Sequence, residues 1–245
     1  MDNTCLLIPV YDHGDSIGPT LERLKPHGLR CLLVDDGSGA ACAAVLDALA
    51  ARERDWVTLI RRPENGGKGA ALQDGLREAR RLGFSHALQI DADGQHDTAD
   101  IPRFLAESRG HPEALVLGDP LYDESVPKRR LYGRYLTHLW VWINTLSRSI
   151  PDSMCGFRIY PVATAVRLID RVSLGRRMEF DTEIAVRLVW EGVPVRTLKT
   201  PVSYPLDGVS HFDVWRDNML ISKMHAKLFF GMLARLPGLL RRRWR

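Results

Sequence analysis

The chain has 245 residues, 45% of them hydrophobic and 26% charged, with a formal net charge of +4. That composition excludes intrinsic disorder and is enough for one buried core, and no run of 18 apolar residues is present to cross a bilayer as a helix. Four scattered cysteines without a C-x-x-C pair argue against structural zinc and predict buried free thiols in a reducing compartment. The start, Met1-Asp-Asn-Thr-Cys-Leu-Leu-Ile-Pro9, has no basic region followed by a long apolar run, so the expected location is the cytoplasm.

Taken in order, Cys5 to Tyr11 reads as a fully buried strand closed by a loop, followed by a helix from Asp15/Ser16 to about Lys25. Arg30 to Ser38 is a second buried strand, ending in Asp35 and Asp36. These two carboxylates project to opposite sides of the strand, so at most one faces a shared ligand. An Ala-rich helix from Ala40 to about Arg54 precedes a strand from Trp56 to Arg61. Pro63-Glu-Asn-Gly-Gly-Lys-Gly69 then runs into a helix over 70–82. A Gly-rich loop at a helix N-terminus offers backbone N–H groups and dipole to a phosphate, and Lys68 adds a full charge. The spacing is not that of a P-loop.

Leu88-Gln-Ile-Asp-Ala-Asp-Gly-Gln-His96 runs an apolar strand into two carboxylates one residue apart. If the extended geometry persists, Asp91, Asp93 and Gln95 share one side and converge on a hard cation, Mg²⁺ or Mn²⁺, leaving coordination positions for substrate phosphates. Further on, Thr98 is the expected cap of a helix to Arg109, and 114–118 is a strand. A basic stretch, Pro127 to Arg134, leads a helical run from Tyr135 to Ile150, read either as core or as a wall for an acceptor or membrane.

Strand and helix alternate three times before residue 90, which predicts an α/β fold with a mainly parallel sheet covered on both faces. Ligands in such sheets bind beyond the carboxyl ends of the strands, where Tyr11, Asp36, the 66–69 loop and Asp91/Asp93 all fall.

These pieces resemble the family 2 glycosyltransferases of the GT-A fold: Ile8-Pro-Val-Tyr11, Val34-Asp-Asp-Gly-Ser38, Asn65-Gly-Gly-Lys-Gly69 and Asp91-Ala-Asp-Gly-Gln95. Asp152-Ser-Met-Cys-Gly-Phe-Arg158 and Phe180-Asp-Thr-Glu-Ile184 are similar to elements of the dolichyl- and polyprenyl-phosphate sugar synthase branch. The resemblance implies an inverting, metal-dependent transfer from a nucleotide-diphosphate sugar to a lipid-linked or membrane-associated acceptor. It places Pro9, Tyr11, Asp36, Lys68 and Asp91 at the nucleotide, and Asp91, Asp93 and Gln95 at the metal. Asp12 stands where many relatives have Asn.

A hydroxyl acceptor needs a general base, for which Glu179, Asp181 and Glu183 compete and the resemblance favours Asp181. A phosphate acceptor needs cations instead, such as Arg158 with Arg129, Arg130 or Arg134. Two alternatives stand beside this reading. A sugar nucleotidyltransferase would open with a Gly-rich, Arg-containing loop where this chain has Pro9-Val-Tyr-Asp-His-Gly14. A non-catalytic nucleotide-sugar-binding module would have no need of intact carboxylates.

Residues 216–245 hold eight Lys or Arg against Asp217 alone, so the body over 1–215 is net acidic. The expected division is a catalytic domain over 1–215 and a basic amphipathic tail over 216–245. Because the cations of the tail alternate with apolar clusters, its expected partner is an anionic membrane surface and not nucleic acid. Leu228, Phe229, Met232, Leu233 and Leu236 would enter the lipid, Pro237 would end the helix, and Arg241 to Arg245 would lie on the headgroups. The enzyme would then be peripheral at the cytoplasmic face.

Overall fold

The computed structural model describes residues 3–122, 128–202 and 213–243, apart from the side chains of 122, 128–132 and 242–243. Strand β1 (Thr4–Val10) is buried at every position and lies between two parallel neighbours, β2 (Cys31–Asp35) and β4 (His86–Gln89). Outside β2 lies β3 (Val57–Arg61), also parallel. Helices α1 (Gly14–Leu24), α2 (Ala40–Arg52) and α3 (Lys68–Arg81) make the crossovers. Because successive side chains on a strand point to opposite faces, β1 serves two cores at once. Cys5 and Leu7 pack with Leu72, Leu76 and Ala79 of α3, whereas Leu6, Ile8 and Val10 pack with Ile17, Leu21 and Leu46 of α1 and α2. The near-continuous apolar runs of the sequence follow from this two-sided burial.

Beyond β4 the chain continues through α4 (Ile101–Gly110), β5 (Leu115–Tyr122), α5 (Lys128–Thr145), β6 (Arg158–Pro161), α6 (Val162–Arg171), α7 (Phe180–Trp190) and β7 (Val195–Val202). The seven strands are ordered β3-β2-β1-β4-β6-β5-β7. The sheet is mainly parallel as expected, with β6 running against both β4 and β5. That reversal pairs Gln89, the last residue of β4, with Arg158, the first of β6. The loop entering β6 therefore lies at the same rim as the loops leaving β1, β2 and β4.

Several local expectations change. Residues 92–94 form a turn with Gly94 at φ +73°, so the side-by-side projection expected of Asp91, Asp93 and Gln95 on an extended strand does not apply. Thr98 is not a cap: it opens a 3-10 turn over 98–100 that leads into α4, and that turn is capped by Asp97, whose carboxylate accepts the Ala99 N–H. All four cysteines are free and buried, as expected.

The largest correction concerns the C-terminal segment. Helix α8 (Val214–Leu233) spans the boundary drawn at 215/216, and α9 (Leu236–Arg243) follows. Leu228 and Met232 are buried in the core with Met224, and Phe229 and Leu236 pack against it, so of the five residues expected in lipid only Leu233 is largely exposed. The apolar surfaces of α5 and α7 need a cover, and this stripe supplies it. Pro237 does not end a helix; it sits in the first turn of α9, where its missing N–H has no intrahelical partner to lose. The Arg242–Arg245 side chains lie outside the described residues. None of the described helices is long and apolar enough to cross a membrane.

Where α8 meets α5, His225 is buried against Trp140, ring centroids 6.1 Å apart, with neither ring nitrogen hydrogen-bonded among the described residues. Burial pushes its pKa down to about 4. An unfolded imidazole takes up its proton near pH 6.5, so between about pH 6.5 and 4 unfolding binds a proton and stability declines as the pH falls. Urea titrations at pH 7, 6 and 5 should show that decline in the parent chain and a flatter profile in His225→Phe. Equal pH slopes in the two proteins would contradict the buried, neutral histidine.

Candidate active site

The rim is built from short-range bonds that the sequence sets up locally. Asp35 closes its own turn, accepting the Ser38 N–H at 2.9 Å and pairing with Arg61 Nε at 2.8 Å. Asp12, at φ +51°, ties the end of β1 to the loop after β2 by accepting the Gly39 N–H at 2.8 Å. Pro9 is buried within β1 and Tyr11 is half-buried just beyond it.

Asp36 points the other way from Asp35, as expected, yet it does not stand free at the rim. It is 2% exposed and accepts the Gly66 N–H at 3.0 Å, the Gly67 N–H at 2.7 Å and Arg62 at 2.7 Å. The two loop amides expected to meet a phosphate are therefore occupied by a carboxylate of the chain itself. Gly67 has φ +97°, and a Cβ there would lie 2.6 Å from the Arg176 carbonyl oxygen, so no larger residue fits this turn. The loop is a rigid mount for the residue that follows it.

That residue, Lys68, is the first of α3. Its Nζ lies 2.7 Å from Asp91 Oδ1 and 3.0 Å from Asp181 Oδ2, bringing together the loop, the end of β4 and the first turn of α7. Burial disfavours the ammonium, but the Asp181 and Asp91 charges outweigh it and hold the Lys68 pKa above the ordinary lysine value. Burial likewise opposes the Asp91 carboxylate, and Lys68 with His96, whose Nε2 is 3.6 Å away, drives its pKa well below the usual range. Asp181 also accepts from Gln89 at 3.3 Å, and Gln89 in turn accepts from the Tyr160 hydroxyl at 2.9 Å. His96, Gln89 and Tyr160 were not singled out in the sequence; of these only His96, adjoining the Asp91 to Gln95 motif, carried a positional hint.

Asp93 is different. Among the described residues no Lys, Arg or His lies within ion-pair distance of it, and burial together with the neighbouring Asp91 charge raises its pKa. Its Oδ1 accepts the Gln95 backbone N–H at 3.0 Å, which is how Gln95 joins the site. A half-buried carboxylate left without a cation, beside a second carboxylate, fits a hard divalent ion bound through oxygen. No group of three His, Cys, Asp or Glu converges among the described residues, so most of the coordination would fall to substrate oxygens and water.

The glycosyl transferase family 2 model matches residues 5–174. The chain is a family 2 glycosyltransferase. Over an alignment of 246 residues the transferase is 32% identical to a dodecaprenyl-phosphate galacturonate synthase of Rhizobium johnstonii, covering 95% of this chain and 68% of the relative. It is 32% identical over 173 residues to a polyprenol monophosphomannose synthase of Mycolicibacterium smegmatis, covering 64% of this chain and 61% of that protein. Among solved structures it resembles glucosyl-3-phosphoglycerate synthase of Mycobacterium tuberculosis with Mn²⁺ and UDP-glucose (TM-score 0.68, 11% identity, 94% and 79% coverage). A Pyrobaculum calidifontis mannosyltransferase with GDP-mannose and Mn²⁺ is also similar (TM-score 0.62, 16% identity, 95% and 64% coverage). At these identities the likeness establishes the GT-A fold of the transferase.

Three candidate site residues of the transferase take other parts. Arg158 is fully buried, and its guanidinium donates to the carbonyls of Cys155 (2.9 Å), Asp181 (2.8 Å) and Ser153 (3.0 Å). It cannot reach a substrate; it fixes the turn before β6 and the start of α7, and so positions Asp181. Glu179 and Glu183 turn away from the rim: Glu179 accepts the Arg176 N–H at 3.1 Å, and Glu183 accepts the Gly175 N–H at 2.7 Å and pairs with Arg187 and Lys227. Of the three carboxylates that competed, Asp181 alone joins Lys68. Asp152 accepts the Met154 and Cys155 N–H groups and holds Arg134 at 2.6 and 3.0 Å.

Gly156 carries the tightest constraint in the site, because a Cβ there would lie 2.1 Å from Asp91 Oδ2. In Gly156→Ala the Asp91 carboxylate must move off Lys68. Displacements of this size cost about 100-fold in rate, so kcat/KM for transfer should fall by about that factor while the circular dichroism spectrum is retained. Parental activity in the alanine variant would remove Asp91 from the working site.

Proposed function

We propose that the protein moves a sugar, with inversion at its anomeric carbon, from a nucleoside-diphosphate sugar to the phosphate of a lipid-linked acceptor, with a divalent cation bound. The observation that carries this reading is Lys68 held between Asp91 and Asp181 next to the unneutralised Asp93. The relatives named for polyprenol and dodecaprenyl phosphate support the acceptor class, and the neighbours solved with UDP- and GDP-sugars support the donor class.

In this reading an acceptor phosphate oxygen bonds to the anomeric carbon as the bond from that carbon to the diphosphate oxygen breaks, and the electron pair leaves with the nucleoside diphosphate. Lys68 faces the charge that grows on the leaving group, and its two carboxylate partners hold it there before reaction begins, so no reorganisation is needed. Asp93 and Asp91 would hold the cation, which supplies further positive charge to the diphosphate. Asp181 keeps Lys68 in place. It is 4% exposed, and its two oxygens are taken by Lys68 and Gln89, which leaves neither free to receive a hydroxyl proton and favours an acceptor that is already an anion. The basic start of α5, where Asp152 fixes Arg134, would meet the acceptor phosphate.

The test is transfer from a labelled nucleotide-sugar panel to polyprenyl phosphate and, separately, to the matching polyprenol, with Mn²⁺ or Mg²⁺. Product should form on the phosphate alone. Asp93→Ala should lower transfer and metal-dependent nucleotide binding together, by at least about 100-fold. Transfer to the polyprenol, with an Asp181→Asn variant losing orders of magnitude in kcat at unchanged donor affinity, would overturn the phosphate acceptor and make Asp181 a base.

A further inference from the structure

The apolar stripe of α8 that packs on the core is one of two. At about 3.6 residues per turn, Trp215, Met219, Ala226, Phe230 and Leu233 fall on a second arc, well away from Met224, Leu228 and Met232. All five are exposed, Trp215 at 85% and Phe230 at 69%. The arc adjoins Phe229, which touches Trp140 of α5. On α5, Leu136 and Leu139 lie next to Trp140 on the helix surface, and both are exposed, as is Tyr135 at 65%. The two exposed stripes therefore meet along the seam between α5 and α8. At its far edge α8 carries Arg216 and Lys223, while Lys227 is turned to Glu183 and the Ser173 carbonyl; Asp217 is buried, and the exposed N-cap Asp213 is bonded to the Trp215 and Arg216 N–H groups.

We propose that this two-helix face docks the protein on an anionic lipid surface, with the apolar stripes in the headgroup and acyl boundary and the α8 cations on the phosphates. The second stripe runs from Trp215 to Leu233, about 27 Å along the helix axis, a length that lies in the plane of the interface. Arg216 and Lys223 beside the apolar arc complement negative headgroups, the exposed N-cap Asp213 being bonded to backbone N–H groups, and Trp215 and Tyr135 are side chains suited to the boundary between lipid and water. The proposal goes beyond the acceptor reading, because it requires no acceptor lipid.

Full-length protein is sedimented with vesicles of phosphatidylcholine alone and of phosphatidylcholine with phosphatidylglycerol, free of polyprenyl phosphate. The protein should pellet with the anionic vesicles and be released by salt. Trp215→Ser/Phe230→Ser and Leu136→Ser/Leu139→Ser should each weaken partitioning at least tenfold, and Lys223→Glu should make binding insensitive to phosphatidylglycerol. Tm and nucleotide-sugar binding should stay at parental values, which separates loss of docking from loss of fold or of the active site. Vesicle binding that is absent, or equal in parent and variants, overturns the proposal. So does light scattering that shows a dimer in the parent and a monomer in the Trp215→Ser/Phe230→Ser variant, since the face would then belong to a second copy.

Discussion

The ammonium of Lys68 between the carboxylates of Asp91 and Asp181 is the contact on which the arrangement of the rim depends. Three segments distant in sequence supply its members, and each is fixed by something outside the cluster. Asp36 locks the loop before Lys68, Arg158 locks the start of α7, and the absent side chain of Gly156 leaves space for Asp91. Burying such a group without partners would cost several kcal/mol, and removing one partner from a buried pair typically costs about 3–5 kcal/mol. The cluster therefore holds its geometry firmly, which is what a site needs if it is to meet developing charge without rearranging.

Charge in the site is deliberately unbalanced. Lys68 pairs with Asp91 and Asp181, and the buried Arg158 guanidinium lies 3.9 Å from Asp181 Oδ1, so two cations stand against two carboxylates, while Asp93 has no such partner among the described residues. In the proposed reading, a rim that is one charge too negative would repel a diphosphate by itself and accept it together with a divalent cation. Metal and donor would then be coupled by electrostatics, without a tight protein cage for the metal.

Helices α5 and α8 show how one stretch of sequence can serve two surfaces. Leu228 and Met232 close the core, and Trp190 of α7 packs beneath Gly231, where a Cβ would lie 2.8 Å from its ring. Trp215, Met219, Phe230 and Leu233 of α8 are exposed, as are Leu136 and Leu139 of α5. Lys227 also reaches the Ser173 carbonyl and Glu183, so the exposed helix is bonded to the segment that backs the Gly67 turn.

The order of elements from β1 to α5, the two-sided burial of the central strands and the placing of Asp36, Lys68, Asp91 and Asp93 at one rim were all legible in the sequence. Strand periodicity and turn residues are local, and a parallel α/β sheet puts such turns on one side. Tertiary structure alone decided what those residues touch. Asp36 binds the glycine loop in place of a ligand, and Arg158 is spent on carbonyls, because hydrogen-bond partners are allotted across segments 20 to 30 residues apart. The reversal of β6 and the contact of Gly156 with Asp91 depend on long-range pairing that no local pattern records. The same holds for the C-terminal helix: its composition showed that it was amphipathic, but with apolar residues on more than one arc, only packing could determine which arc the core would take.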